Sequence, residues 1–450
     1  MTDTSPSHPA PPQSEPDRLD FDVIVVGAGP AGSAAALALA RAGRTVALIE
    51  RGPYPGSKNL YGGVVYGRVL DTIIPRWWEE VPFQRWVVRR STMVMTGTQA
   101  LSVDLRSQAW GSPPYNGMTI YRADFDSWLA GHAVAAGATL VPSTLVTGLW
   151  RDGAGRVVGV RTDRPDGDLR ARVVIACDGV NSFLAKEIGL LPRADASHHT
   201  LGIKEVLSLP AAVIEERFGL SAHEGLDIEI VGCTQGIPGG GFLYTNRDTV
   251  SVGVVVGVSE LARSGVRPED LVAGLKAHPA IAPYLGGATL KEYAAHLIPE
   301  GGYDHMPQLA ADGFLVAGDA AGMTLAAGLW LEGVNFAIGA GWAAGRTAAA
   351  AVAAGDVSAS GLSGYRTALE ANFVLADHKR FRRAPELLLS ERLQRQYPPM
   401  ICDLVEQLFT VTNPEPKPGG LKVVLNTVRR HRVRWRDLVR DGVEAVRAFR

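Results

Sequence analysis

The chain has 450 residues, enough for two or three domains with a large core. Hydrophobic residues make up 46%, charged residues 20%, and net charge is −1, so composition describes a globular protein and offers nothing to a nucleic acid. The three cysteines, Cys177, Cys233 and Cys402, form no CxxC, which excludes a dithiol redox centre and a cluster needing four local thiolates.

Residues 1–20 carry Pro6, Pro9, Pro11, Pro12 and Pro16 among Ser, Thr and acids, with no apolar run. They read as a disordered tail, not a signal peptide. Phe21–Gly32 (FDVIVVGAGPAG) then predicts a buried strand running into a phosphate-binding turn made by Gly27, Ala28, Gly29, Pro30, Ala31 and Gly32. Gly27 permits the tight turn, Gly29 lets backbone approach a pyrophosphate, and Gly32 lets the next helix pack close. The helix N-terminus favours the diphosphate charge. A small-residue helix follows, stopped by Gly43, and a second apolar run, Thr45–Ile49, ends at Glu50. A carboxylate there accepts hydrogen bonds from both ribose hydroxyls of an adenosine and repels a 2′-phosphate, so the turn suits a dinucleotide other than NADP. The rival reading of Val23–Ala40, a membrane span, is opposed by its three glycines and Pro30.

Ile73, Ile74, Trp77, Trp78 and Phe83 suit either an interfacial patch or the core, and the sequence leaves both open. Arg172–Ala176 is a short β-branched run stopped by Cys177, Asp178 and Gly179; Gly313–Ala317 is another, stopped by Gly318, Asp319, Ala320, Ala321 and Gly322. Ligands of open α/β sheets bind at carboxyl ends of strands, so these turns are expected to converge on the first one. Asp178 alone can also be read as a turn-forming residue. The predicted organisation is a discontinuous nucleotide domain over 21–75, 105–195 and 296–355. A mainly antiparallel β-sheet domain over 76–104 and 196–295 is inserted in it, with a helical region over 356–450. Gly339–Gly345 (GAGWAAG) imitates the fingerprint but continues a helix, so close helix packing is expected there. Tyr365–Leu375 and Pro399–Thr410 have helical spacing, and Thr410–Gly419 is a Pro-rich break. Arg429–Arg450 holds eight Arg against Asp437, Asp441 and Glu444, which suits an anionic lipid surface, an acidic partner or a solvated helix face.

GAGPAG with Glu50, CDG at Cys177–Gly179 and GDAAG at Gly318–Gly322 together resemble the flavoprotein superfamily of aromatic hydroxylases, geranylgeranyl reductases and electron-transfer-flavoprotein quinone oxidoreductases. Residues 51–63 (RGPYPGSKNLYGG) narrow this to the FixC branch. So do Lys379–Pro385 (KRFRRAP), Arg392–Met400 (RLQRQYPPM) and Leu408–Thr410 (LFT). The resemblance covers residues 21–450 and implies an α/β fold with a discontinuous Rossmann-like FAD-binding domain, an inserted β-sheet domain for substrate or quinone and a helical C-terminal region. It implies FAD as cofactor, no metal, and no assigned acid–base residue. Arg122, Asp178, Gly179, Gly318 and Asp319 would serve the ribityl–phosphate middle; Arg51 would also bind the cofactor; Pro55–Gly63, with Lys58, Tyr61 and Gly62, and Gly328–Asn335, with Gly333, Val334 and Asn335, would border the isoalloxazine.

The implied activity is acceptance of electrons from an electron transfer flavoprotein (α and β subunits, FixA and FixB-like) and transfer to a membrane quinone. The missing cysteines imply a separate small ferredoxin-like iron–sulfur partner (FixX-like), in an electron-bifurcating assembly. The expected location is cytoplasmic, with peripheral contact at the inner face of the cell membrane. Two other readings share the nucleotide motifs: an NAD(P)H-driven geranylgeranyl reductase or hydroxylase, and a non-catalytic FAD-binding assembly subunit.

Overall fold

The computed structural model describes residues 19–59, 62–191, 196–328 and 330–450. The predicted tail up to residue 18, and Tyr61, lie outside the described residues. The chain opens with β1 (Phe21–Val26), helix α1 (Pro30–Arg41) and β2 (Val46–Ile49). Next come β3 (Gly63–Val65), β4 (Phe83–Met95), β5 (Ala100–Arg106), β6 (Met118–Ile120), helix α2 (Arg122–Ala135) and β7 (Thr139–Val141). They are followed by β8 (Val146–Arg151), β9 (Val157–Thr162), β10 (Leu169–Ala176), β11 (His199–Ser208) and β12 (Glu224–Val231). The last strands used below are β13 (Gly239–Thr245), β14 (Thr249–Gly257), β15 (Thr289–Pro299), β16 (Ala310–Ala311) and β17 (Phe314–Val316), with helix α3 (Val334–Ala354) beyond them.

The first sheet runs β16-β17-β10-β1-β2-β7, with the β8–β9 hairpin attached to β10. From β17 to β7 all pairings are parallel, so the turns after β1, β10 and β17 leave the same edge. Both faces of such a sheet are covered, which is why β1 and β2 are runs of Val, Ile, Leu and Ala. Helices α1 and α3 cover it and pack against each other at small residues. A Cβ at Gly341 would sit 1.9 Å from the Ala31 carbonyl oxygen, so the second glycine-rich stretch is a helix contact, as its pattern predicts.

The second sheet runs β15-β11-β14-β13-β12-β4-β6-β3, with β5 on β4, and is antiparallel except for β4 beside β12. It takes in β3, β5 and β6, parts of which the sequence pattern assigns to the nucleotide segments. One face buries Ile203, Ile228, Ile230, Val252 and Val254 in a separate apolar core. The other faces the first domain.

The interfacial reading of Ile73, Ile74 and Trp77 is wrong: they are 2%, 3% and 0% exposed. Trp77 packs edge-on against Trp78 and Trp86, and its Nε1 donates to Asp71 Oδ1 at 2.8 Å, so its one polar atom is satisfied inside the protein. Tyr365–Leu375 is also two helices and not one, because Asn372 Oδ1 accepts from Val374 N at 2.8 Å and caps a new start at Phe373.

The C-terminal region is tied to the second sheet. Gln394 Oε1 accepts from Gly239 N (3.3 Å), and Arg395 Nε donates to Gly236 O (2.7 Å). Arg392 and Tyr397 both donate to Asp441 on the last helix, Trp435–Ala448, and Arg392 lowers the Asp441 carboxyl to about 2. No helix among the described residues is long and apolar enough to cross a membrane.

Candidate functional site

The turns after β1, β10 and β17 open into one cavity of about 650 Å³ between the two sheets. Gly27 turns with φ +99°, and a Cβ there would lie 2.3 Å from the Cys177 carbonyl oxygen, so only glycine lets β1 and β10 end side by side. Fourteen of the residues singled out above line the cavity: Gly27, Gly29, Pro30, Ala31, Glu50, Arg51, Lys58, Gly62, Arg122, Asp178, Gly179, Asp319, Gly333 and Val334.

The other four stand behind it. Ala28 donates its N–H to Glu50 Oε2 at 3.1 Å; Gly32 abuts the Gly27 carbonyl; Gly318 abuts Ala31; and Asn335 Nδ2 donates to Glu332, which itself lines the cavity. Glu50 takes a second backbone donor, Gly52 N, at 2.7 Å. Its carboxylate is thereby fixed, and each oxygen keeps a lone pair for a ligand hydroxyl.

Arg122 at the start of α2 points past Gly29: a Cβ on Gly29 would meet only Arg122 Nη2, at 3.7 Å. Two 2.8 Å hydrogen bonds to Asp126 hold that guanidinium, and Asn59 Nδ2 donates to the same carboxylate at 3.1 Å. Asp319 is half-buried, and desolvation raises its carboxyl against the opposing pull of Arg122 and His296. Asp178 accepts from Leu184 N through Oδ2 (3.4 Å), while Oδ1 is buried with no protein partner. A buried carboxylate oxygen left unpaired costs about 1–3 kcal/mol, and this one is free to accept from a ligand donor. A fixed carboxylate (Glu50), two more at Asp178 and Asp319, a held arginine and a glycine backbone edge are a set of acceptors and donors that suits a polyhydroxylated diphosphate, and FAD fits it.

Beyond these groups the cavity is lined by Val231, Phe242 and Val255 of the second sheet, and by Leu388, Leu389 and Leu393 of the C-terminal region. Sequence reasoning missed this apolar end, and also a charged group beside it. Arg90 on β4 pairs with Glu229, and its Nε lies 3.8 Å from Asp227 Oδ2. Thr92 Oγ1 lies 3.5 Å from Glu229 Oε2, and the Tyr66 ring sits 5.5 Å from the Arg90 guanidinium carbon. Further along β11, Lys204 Nζ donates to Gly62 O (2.8 Å) and Tyr244 Oη (3.2 Å); burial lowers its pKa to about 7. The signal for the acidic pair was in the sequence. In LDIEIV (Leu226–Val231) carboxylates alternate with large aliphatics, which in a strand puts both acids on one face.

Comparison with known proteins agrees with this geometry. The FAD binding domain family matches residues 20–219, and the ETF-QO/FixC family C-terminal domain matches residues 384–450. A probable electron transfer flavoprotein-quinone oxidoreductase, YdiS of Escherichia coli (strain K12), is 38% identical over 430 residues, covering 95% of this chain and 99% of that protein. Protein FixC of Salmonella typhi is 40% identical over 429 residues (95% and 98%), and FixC of Bradyrhizobium diazoefficiens 38% over 434 residues (96% and 99%). Among solved structures, a geranylgeranyl bacteriochlorophyll reductase-like protein from Thermoplasma acidophilum superposes with a TM-score of 0.71 at 19% identity, covering 94% of this chain and 99% of that one. The flavin-dependent brominase Bmp2 gives 0.60 at 17% (96% and 94%). These two share the fold. The chain belongs to the FixC and electron transfer flavoprotein-quinone oxidoreductase family, and is an FAD-dependent electron-transfer oxidoreductase.

Proposed function

We propose that the protein takes electrons from an electron transfer flavoprotein of FixA/FixB type and passes them to a membrane quinone. The observation that carries this reading is the apolar end of the cavity. Its Leu388, Leu389 and Leu393 come from the same C-terminal segment that matches the ETF-QO/FixC family. An aromatic head group with a prenyl tail matches such a lining, whereas a nicotinamide nucleotide would need cationic partners there.

Bound FAD supplies the exchange between one-electron and two-electron transfer. The chain's own residues hold it. Glu50 accepts the ribose hydroxyls of the ADP half, and the Gly27–Gly32 turn and the α1 N-terminus receive the diphosphate. Arg122, locked by Asp126, neutralises phosphate charge, and Asp178 and Asp319 accept ribityl hydroxyls. Gly333 and Val334 present the N–H groups at the start of α3 to the pyrimidine end, where that helix dipole favours negative charge. Lys58 and Gly62 border the ring.

A small ferredoxin-like iron–sulfur protein of FixX type would complete the assembly, which is read as a FixABCX-type bifurcating complex. Contact with the inner face of the membrane would be peripheral, through the last helix. Trp435, Val439, Val443 and Val446 form an outward stripe on it, and Arg436, Arg440 and Arg447 lie beside that stripe.

The test is anaerobic stopped-flow reoxidation. FAD-loaded protein, reduced with dithionite, is mixed with a short-chain quinone, and oxidised protein is separately mixed with NADPH. Rapid reoxidation by quinone and no reduction by NADPH is the expected result. Direct reduction by NADPH would point to a reductase or hydroxylase, and no reoxidation to an assembly subunit.

A further inference from the structure

The second sheet presents an unusual face to the cavity. Directly paired residues of neighbouring strands point to the same side, and Asp227 is opposite Arg90 on β4 and Tyr244 on β13, while Glu229 is opposite Thr92 and Phe242. Two carboxylates therefore share one guanidinium. With both acids ionised, the trio carries one negative charge in a site where Asp227 is 6% exposed and Glu229 9%. A buried net charge is expensive, and one proton held by the pair removes it. Glu229 lines the cavity beside Val231, at the start of the apolar end; Asp227 sits behind it.

Resting on the quinone reading above, we propose that Glu229 is the proton donor to the quinone, and that Asp227 is a positioning residue whose negative charge beside Glu229, with one Arg90 between the two, keeps a proton on the pair. Conversion of quinone to quinol takes two electrons, drawn from reduced FAD, and two protons. The Glu229 O–H bond breaks as a quinol O–H bond forms, and the carboxylate left behind is held by Arg90. A proton relayed from bulk solvent through water entering the cavity restores the acid, which then supplies the second proton in the same way. Glu229 acts as a general acid, and a carboxyl raised above its ordinary value by burial suits that task.

The surrounding groups support this state. Burial raises both carboxyls, Asp227 to about 7, with their mutual repulsion adding and Arg90 opposing; the proton belongs to the pair. The titratable and charged groups facing the pair are Arg90 from β4, Tyr66 beyond β3, Tyr244 from β13 and Glu332 ahead of α3. Tyr66 and Tyr244 are both pushed up by burial and stay neutral, so they add no charge that would expel the proton.

Full-length FAD-loaded wild type, Glu229→Gln, Glu229→Asp and Asp227→Asn are reduced anaerobically. Each is reoxidised either by a short-chain quinone or by ferricenium, which takes electrons without protons. The ratio of quinone to ferricenium rates is expected to fall about 100-fold in Glu229→Gln near pH 7. Glu229→Asp should recover part of it. In Asp227→Asn the Glu229 carboxylate gains sole possession of Arg90, so the quinone rate should move to more acid pH.

Infrared spectra of the FAD-free proteins give a readout separate from turnover. A protonated carboxyl band that shifts in D2O should be present near neutrality in wild type and lost in Glu229→Gln. A wild-type ratio in Glu229→Gln, or an unchanged band, overturns the assignment while leaving the quinone reading intact. A wild type that reduces ferricenium and no quinone overturns both.

Discussion

Arg122 and Asp126, one turn apart on α2, are joined by two hydrogen bonds of 2.8 Å, Nε to Oδ1 and Nη2 to Oδ2, with the Asp126 side chain 0% exposed. The pair aims a guanidinium along the glycine turn and keeps its charge compensated on the side away from the cavity. Removing one partner of a buried ion pair costs about 3–5 kcal/mol, because the other charge is left unmatched. Asp126→Asn is expected to lower the thermal midpoint of the FAD-free protein and to weaken FAD binding. Calorimetry and flavin titration check the two effects. An unchanged FAD affinity in the destabilised variant would show that Arg122 does not reach the cofactor.

Glu50→Ala should weaken FAD binding at least tenfold, since a hydrogen bond to a charged group contributes about 1.5–3 kcal/mol and this carboxylate would make two with a ribose. Glu50→Gln should lose less, because it keeps an acceptor oxygen. Fluorescence titration of FAD-free protein measures both.

Asp319→Ala should reduce the FAD that copurifies with the protein and weaken its binding, while Asp319→Asn retains one acceptor and falls between. Absorbance of the flavin per protein reports the content. Full occupancy and wild-type affinity in the alanine variant would mean that Asp319 does not serve the ribityl chain.

Lys204 provides the pH dependence. Its pKa is lowered to about 7 by burial, below its value in the unfolded chain. Below about pH 7 the ammonium is charged in both states and the full cost of burying it is felt. As pH rises from about 7 to 10, the folded protein binds fewer protons than the unfolded one. Stability therefore increases across that window, by up to about 1.4 kcal/mol per pH unit. Lys204→Met removes this contribution. Wild-type stability minus that of Lys204→Met, from denaturant titrations, should rise with pH over the same interval.

The last helix is predicted to bind anionic vesicles. Val439→Glu with Val446→Glu should reduce flotation with such vesicles, and added salt should weaken wild-type binding, each basic residue near the surface contributing about 1 kcal/mol. Point substitutions are preferable to truncation because Asp441, on the same helix, receives Arg392 and Tyr397. Equal flotation of the double variant would remove the helix from the proposed membrane contact.

Much of the site was legible in the chain. The turns at Gly27, Asp178 and Asp319 were recognisable because each follows a short apolar run, and parallel strands send their ends to one edge of the sheet. The fate of Trp77 was not legible. An aromatic pair beside apolar residues has the same composition on a membrane face and in a core, and only the partners Trp86 and Asp71 distinguish the two. The capping of a new helix by Asn372 was also hidden, because apolar spacing runs on across it.

By itself the sequence determined the nucleotide turn and its acidic partner. A positive φ at Gly27 and a carboxylate at the end of β2 are local requirements, met by residue type within a short stretch. Only the tertiary structure decided that Arg90 meets Asp227 and Glu229, the latter 139 positions away, because that encounter depends on β4 pairing parallel to β12 in one register. Register is set by the summed burial of whole strand faces, and a shift of one residue would turn both acids away from the cavity.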